Sequence, residues 1–260
     1  MTTTSAPARL RQRLEVMGTV FTLDVVTDVP AAELAGAIGE AFAWLRWVDD
    51  TFSTYKPGSE ISRVRRGELA VGDADPEVRA VLAACRLLTE ETEGYFDAWA
   101  GPDRALDPSG LVKGWAAERA SGMLSAAGAP NHCLNAAGDV ALAGAPAPGE
   151  RWRVGIVHPL HPHRLTTVVA VGEGGVATSG TAERGAHVFD PHTGRPVTDL
   201  ASVTVVGPSL ATADAYATAA MAMGTGAPVW LSSLNGYESY VLDAGGHLWQ
   251  SEGFAGYRIT

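Results

Sequence analysis

Two oxygen-bearing side chains, Asp214 and Thr218, are four residues apart in an alanine-rich segment that begins near Thr212. This segment predicts a helix ending before Gly224, and residues four apart lie on one face of a helix. A carboxylate and a hydroxyl placed in this way can share a hard cation such as Mg²⁺, which prefers oxygen ligands. The pair also has a purely structural interpretation, in which Asp214 complements the helix dipole and Thr218 hydrogen-bonds to a carbonyl of its own helix.

Lys113 and His187 are two further candidates for chemistry. Lys113 is one of two lysines in a chain with seventeen arginines, and it precedes Gly114 at a predicted helix start. A lysine and a close-approach glycine near a helix N-terminus suit a phosphate group, although a surface lysine has the same pattern. His187 lies in a predicted short strand, where it is either a general base or a hydrogen-bonded strand histidine.

Two other motifs lack the context that their chemistry requires. Residues 172–177 match a dinucleotide-binding G-x-G-x-x-A. A predicted turn at Thr178-Ser179-Gly180 follows them in place of the necessary helix. Three histidines between residues 158 and 163 have the spacing of metal ligands, but the prolines among them predict a solvated loop.

Composition limits the class of protein. The chain has 260 residues, of which 46% are hydrophobic and 18% charged, and this suits one large domain or two closely fused lobes. Its formal net charge of −10 argues against nucleic acid or an anionic membrane as the main partner. Cys85 and Cys133 have no metal-site spacing and are expected to be reduced core residues. Without a membrane-length apolar run or an export leader, we expect a cytoplasmic protein with no membrane anchor.

The elements that must position the candidate residues mix strands and helices without a regular βαβ alternation. We expect a disordered head over residues 1–12 and one domain over residues 13–260. Helices are predicted from Pro30 to about Asp50, from Asp75 to Gly94 and from about Leu111 to Ala127. The predicted strands cover residues 14–26, 135–143, 152–157, 166–171, 202–207, 238–243 and 247–250. This arrangement predicts an α+β fold.

Several short blocks, taken with the candidate residues, resemble the ApbE family of FAD:protein FMN transferases. The resemblance covers nearly the whole chain after about residue 14. Its blocks are Met17-Gly18-Thr19, Phe52-Ser53-Thr54-Tyr55 with Ser59-Glu60-Ile61-Ser62, Thr92 to Asp97, Asp107 to Glu118, Asn135 to Asp139, Thr178-Ser179-Gly180, His187 to Gly194, and Ala213 to Thr218.

The resemblance implies a fold and an activity. The implied fold is a T-fold-like, two-lobed single domain with mixed sheets and flanking helices. The implied activity is Mg²⁺-dependent transfer of the FMN half of FAD to a threonine hydroxyl of an acceptor protein, with release of AMP. Acceptors of such enzymes carry a motif similar to Asp-x-x-Thr-x-Ala-Thr.

The same resemblance implies roles for individual residues. Asp214, Thr218 and the backbone carbonyl of Val112 would bind Mg²⁺, and Asp214 would thereby be catalytic. His187 would be the catalytic base for the acceptor threonine. The residues expected to contact FAD are Met17, Tyr55, Lys113, Glu118, Asp139 and Ser179.

Three departures from the family pattern leave alternatives open. Ala137 replaces a glycine, Glu118 replaces an aspartate, and the segment between Asp97 and Asp107 is several tens of residues shorter than usual. One alternative activity is a Mg²⁺-dependent FAD pyrophosphatase that produces FMN and AMP. The other is a flavin-binding protein without catalysis.

Overall fold

An eight-stranded antiparallel sheet runs through the protein, whose computed structural model describes residues 8–100, 105–181 and 188–259. The strands are β1 (Ala8–Val16), β2 (Thr19–Thr27), β3 (His132–Ala136), β4 (Asp139–Ala143), β5 (Trp152–His158), β6 (His161–Val171), β7 (Gly174–Gly180), β8 (Leu200–Gly207), β9 (Glu238–Asp243) and β10 (Leu248–Gln250). The order in the large sheet is β1-β2-β3-β4-β7-β8-β9-β10, and β5 and β6 form a separate hairpin. Every pairing is antiparallel.

Helices cover one face of the large sheet. They are α1 (Ala31–Phe52), α2 (Glu60–Arg65), α3 (Pro76–Glu91), α4 (Ser109–Ala126), α5 (Leu210–Met223) and α6 (Ala227–Leu231). Alternate residues of a strand point to opposite faces, so Val203 and Val205 of β8 pack in the helix-side core while Val206 packs on the other side. The β5–β6 hairpin covers that second face with Trp152 and Val169. The α+β fold expected from the sequence is confirmed.

The N-terminal strand is longer than the sequence indicated. It begins at Ala8, so residues 8–12, which we placed in a disordered head, pair with residues 23–27 of β2. Arginines at alternate positions give this segment a polar sequence without the apolar residues that indicate a strand. Charged side chains of this kind are typical of a strand at the edge of a sheet. One of them, Arg9, forms an ion pair of 2.6 Å with Asp24 on the neighbouring strand.

The sheet contradicts one further expectation about local structure. Thr178-Ser179-Gly180, predicted as a turn, lies in β7 and pairs with residues 202–204 of β8. The glycine suggested a turn because sequence alone does not show a neighbouring strand that fixes an extended backbone. Among the described helices, none combines the length and the apolar character needed to cross a membrane.

A buried histidine connects α4 to the strand that follows it. His132 on β3 is fully buried, with its Nε2 2.6 Å from Ser121 Oγ and its Nδ1 2.7 Å from the carbonyl oxygen of Ala129. These contacts suit a neutral ring in which Nδ1–H donates to Ala129 and Nε2 accepts from Ser121. Burial lowers the pKa of His132 below its ordinary value of 6.5, and the hydrogen bond to Ala129 opposes that effect in part.

The lowered pKa predicts a loss of stability in acid. Because the unfolded chain takes up the proton more readily, the contribution of His132 is complete above pH 6.5 and is lost as the pH falls through the folded-state pKa. We expect His132→Gln, which cannot titrate, to lose less melting temperature than wild type between about pH 7.5 and about pH 5. Exposed His163→Gln is the control and should follow wild type. Equal losses in wild type and His132→Gln would contradict the prediction.

Candidate functional site

The candidate site is built on a close antiparallel contact between α4 and α5. The backbone N–H of Gly114 donates to Asp214 Oδ2 at 3.0 Å. A Cβ atom on Gly114 would lie 2.8 Å from the carbonyl oxygen of Leu210 and 2.9 Å from the Asp214 Cβ. Only glycine therefore allows the two helices to approach this closely without a shift.

Asp214 is a buried carboxylate with an unusual environment. Asp214 is 4% exposed and lies on the face of α5 that meets α4. Burial, followed by the nearby negative charge of Asp139, raises the pKa of Asp214 to about 8, against the opposing effects of Lys113 and the Gly114 N–H. A bound cation would favour the ionised form of this group, which makes Asp214 a natural metal ligand.

Lys113 and Asp139 form an ion pair beside Asp214. Lys113 Nζ lies 2.6 Å from Asp139 Oδ2, and Asp139 is almost completely buried. The second oxygen of Asp139 accepts the backbone N–H of Thr178 at 2.9 Å, which ties β4 to β7. The next residue of β7, Ser179, places its Oγ 3.4 Å from the hydroxyl oxygen of Thr218. Five of the candidate residues, which are widely separated in sequence, thus lie close together in the structure, while their roles stay predictions: Lys113, Asp139, Ser179, Asp214 and Thr218.

Two tight turns lie side by side at the same end of the sheet. The β1–β2 turn contains Met17 and Gly18, and the β3–β4 turn contains Ala137 and Gly138. All four residues have positive φ, at 53°, 67°, 54° and 100° respectively. Two-residue hairpin turns with both φ angles positive are type I′, which match the twist of the strands. Pairing of Phe21 with Ala136 brings the two turns together, and Met17 lines a cleft of about 410 Å³ that also includes Asp49.

The other predicted residues are less closely joined to this group. Tyr55 follows α1 and is 90% exposed. Val112 directly precedes Lys113 in α4, and the role of its carbonyl remains a prediction. Glu118 belongs to α4 and contacts the N-terminus of α5, where its Oε2 accepts hydrogen bonds from the Ser209 hydroxyl and the Ala211 backbone N–H. His187 lies outside the described residues.

Gly110 is a residue of the site that the sequence analysis did not identify. A Cβ atom on Gly110 would lie 3.2 Å from the ring of Phe96 and 3.4 Å from the Thr218 hydroxyl oxygen. Gly110 and Gly114 are four apart, so they mark one face of α4 as the surface that meets α5. This spacing of small residues was visible in the sequence.

The donor atoms fit a hard cation with few protein ligands. The structure of residues 8–100, 105–181 and 188–259 contains no group of three or more His, Cys, Asp or Glu side chains that could hold a metal ion. A site here would use the Asp214 carboxylate and the Thr218 hydroxyl, with its remaining ligands from backbone carbonyl, water or substrate. Mg²⁺ is commonly bound in this way, through one or two carboxylates together with phosphate oxygens.

The sequence matches known proteins over most of its length. The profile of the ApbE family matches residues 17–104 and 98–242. A FAD:protein FMN transferase of Vibrio cholerae serotype O1 is 25% identical over 265 aligned positions, which cover 80% of this chain and 79% of that protein. A FAD:protein FMN transferase of Salmonella typhimurium is 32% identical over 134 positions, covering 48% of this chain and 38% of that relative.

Solved structures share the same fold. The ApbE protein of Thermotoga maritima superposes with a TM-score of 0.85 at 21% identity, covering 97% of this chain and all of the other. The flavin transferase ApbE of Vibrio cholerae gives a TM-score of 0.83 at 21% identity, covering 96% of this chain and 99% of the other. At this identity the likeness establishes the fold alone.

The contact between α4 and α5 predicts that Gly114 cannot be replaced. Gly114→Ala should lower the free energy of unfolding by about 1–3 kcal/mol, because the new methyl group meets the backbone of α5. Gly122→Ala is the matched control in the same helix, since nothing lies within 4 Å of a Cβ atom there. The control should gain about 0.5–1 kcal/mol from the helix propensity of alanine. Chemical denaturation measures both, and a neutral Gly114→Ala would contradict the described contact.

The positive φ of Ala137 predicts the opposite effect. Ala137→Gly should raise the free energy of unfolding by about 0.5–1 kcal/mol, because relief of the left-handed strain exceeds the added flexibility of the unfolded chain. Ala143→Gly on β4, where the backbone is extended, should instead lower it by about 0.5–1 kcal/mol. Both can be measured by urea denaturation, and a loss of stability in Ala137→Gly would show that the turn prefers alanine.

Proposed function

The chain belongs to the ApbE family, and we propose that it is a FAD:protein FMN transferase that requires Mg²⁺ and modifies a threonine. Its relatives in Vibrio cholerae and Salmonella typhimurium bear the name FAD:protein FMN transferase. The substrates are FAD and an acceptor protein, and the products are the flavinylated acceptor and AMP.

One observation supports this function most strongly: the buried Asp214 carboxylate faces Gly114 while Thr218 lies one turn further along the same helix face. Burial of Asp214 next to a second carboxylate, Asp139, costs free energy, and an apolar or neutral ligand would not compensate this cost. A divalent cation supplies the positive charge that such a site lacks, and it can in turn bind the phosphates of a dinucleotide.

The residues of the site have separate tasks in the transfer. Asp214 and Thr218 would hold Mg²⁺, which would supply positive charge to the pyrophosphate of FAD. Asp139 holds the ammonium group of Lys113 at the end of the sheet, beside the position proposed for the phosphates. Ser179 and Thr218 add hydroxyl groups that can donate to phosphate oxygens. Positioning and charge neutralisation are the main requirements of phosphoryl transfer.

The reaction forms one bond and breaks another at the same phosphorus atom. The threonine oxygen of the acceptor attacks the FMN phosphorus, and the bond from this phosphorus to the bridging oxygen breaks, so that AMP leaves with the bond's electron pair. The hydroxyl proton passes to a general base, for which we propose His187 from the family pattern. A histidine suits the task because its ordinary pKa is near neutrality.

The proposed function can be tested by the mass of an acceptor peptide. A peptide with the motif Asp-x-x-Thr-x-Ala-Thr is incubated with the protein, FAD and Mg²⁺, while AMP release is followed in parallel. We expect a mass increase of one FMN moiety that disappears when the metal is chelated. A peptide in which alanine replaces both threonines is the control and should remain unmodified.

Asp214→Asn tests the residue on which the site depends. The substitution keeps the size of the side chain and removes its charge, so the rate of FMN transfer should fall by at least about 100-fold. This loss is at the upper limit of what is usual for residues that only hydrogen-bond to a metal ligand, about 10- to 100-fold. Transfer and metal dependence like those of wild type would show that the site is misplaced.

AMP release without an FMN adduct on any threonine peptide would favour the pyrophosphatase, and bound FAD with neither product would favour a flavin-binding protein.

A further inference from the structure

Glu118 joins α4 to the first turn of α5. A single carboxylate oxygen, Oε2, accepts hydrogen bonds from the Ser209 hydroxyl and the Ala211 backbone N–H, each at 2.8 Å. The Ser209 oxygen in turn accepts the backbone N–H of Thr212 at 3.2 Å. N–H groups in the first turn of a helix have no partner inside the helix, so these contacts satisfy two of them.

The position of this contact separates Glu118 from the metal ligands. Because α4 and α5 run antiparallel, Gly110 meets Thr218, Gly114 meets Asp214, and Glu118 meets the start of α5. Each step of four residues advances about 6 Å along a helix, so Glu118 is about 12 Å along α4 from Gly110. Thr218 is thus at the Gly110 end of the contact, Asp214 is in its middle, and Glu118 is at the other end.

We propose that Glu118 is a positioning residue, which fixes the N-terminus of α5 and thereby holds Asp214 against Gly114. This role replaces the FAD contact that the family resemblance implies for this position. The inference rests on the proposed function where it treats Asp214 as a metal ligand, but the contact between Glu118 and the start of α5 is a property of the fold. A negative charge at a helix N-terminus is also favourable, because it complements the helix dipole.

The length of the Glu118 side chain allows both hydrogen bonds. Glutamate reaches from the face of α4 to both donors at the start of α5, and aspartate, the usual residue of the family, is one methylene shorter. Glu118→Asp should therefore lose at least one of the two hydrogen bonds in this chain. Glu118→Gln keeps an oxygen acceptor at the same reach and loses the charge, so its effect should be smaller than that of Glu118→Ala.

Amide hydrogen exchange, metal titration and FAD binding together test the proposal. In the absence of FAD and metal, Glu118→Ala should speed exchange of the Ala211 and Thr212 amides by about fivefold, as expected for a lost helix cap. The Mg²⁺ concentration for half-maximal FMN transfer should rise by a similar factor. FAD affinity measured without metal should stay within about twofold of wild type, because Glu118 does not contact the ligand.

Two further variants separate positioning from other roles. Ser209→Ala should reproduce part of the Glu118→Ala effect on exchange and Mg²⁺ requirement, and the double variant should show less than the sum of both. Asp75→Ala removes the side-chain cap of α3, whose carboxylate accepts from Glu77 N–H at 2.8 Å. It should lower the melting temperature without changing the Mg²⁺ requirement.

The outcomes distinguish the two proposals. A tenfold loss of FAD affinity in Glu118→Ala, with unchanged amide exchange and no effect of Ser209→Ala, would overturn positioning in favour of an FAD contact. Absence of Mg²⁺-dependent transfer in wild type would overturn the proposed function alone, because the exchange measurement needs neither substrate nor metal. Faster exchange with an unchanged Mg²⁺ requirement would reduce Glu118 to a stability role and also overturn the proposal.

Discussion

The close contact between α4 and α5 is the constraint on which the site depends. Asp214 can be buried only because Gly114 leaves room for it and donates its N–H to the carboxylate. A buried carboxylate without such partners is strongly unfavourable, and a side chain on residue 114 would move α5 away. The helix–helix distance therefore sets both the location of the carboxylate and the cost of keeping it there.

The sheet provides the other half of the site through strand register. Asp139 begins β4 directly after the tight turn at Ala137-Gly138, and its carboxylate accepts the backbone N–H of Thr178 on the neighbouring β7. A shift of one residue in either strand would turn these side chains to the opposite face. The left-handed backbone of Ala137 is consistent with a turn whose geometry is maintained by the strands on both sides and not by the preference of alanine itself.

The sequence predicted what depends on local spacing and missed what depends on neighbours. Asp214 and Thr218 could be assigned to one helix face because four-residue spacing is a local property. The strand character of residues 8–12 and of Thr178-Ser179-Gly180 could not, because each is fixed by a partner strand. The hydrogen bond between Gly114 and Asp214 joins residues 100 positions apart, and no local pattern specifies such a contact.

The net charge of the protein favours the cation that we propose at this site. With a formal net charge of −10, the chain as a whole repels an anionic dinucleotide. Lys113 does not overcome this repulsion by itself, because its ammonium group is already 2.6 Å from the Asp139 carboxylate. Asp214 adds a second acidic group to the same place, so the protein surroundings favour a divalent cation before they favour a phosphate. The Mg²⁺ that we propose at Asp214 and Thr218 would reverse that preference, and its site exists only because the fold brings α4, α5 and the end of the sheet together.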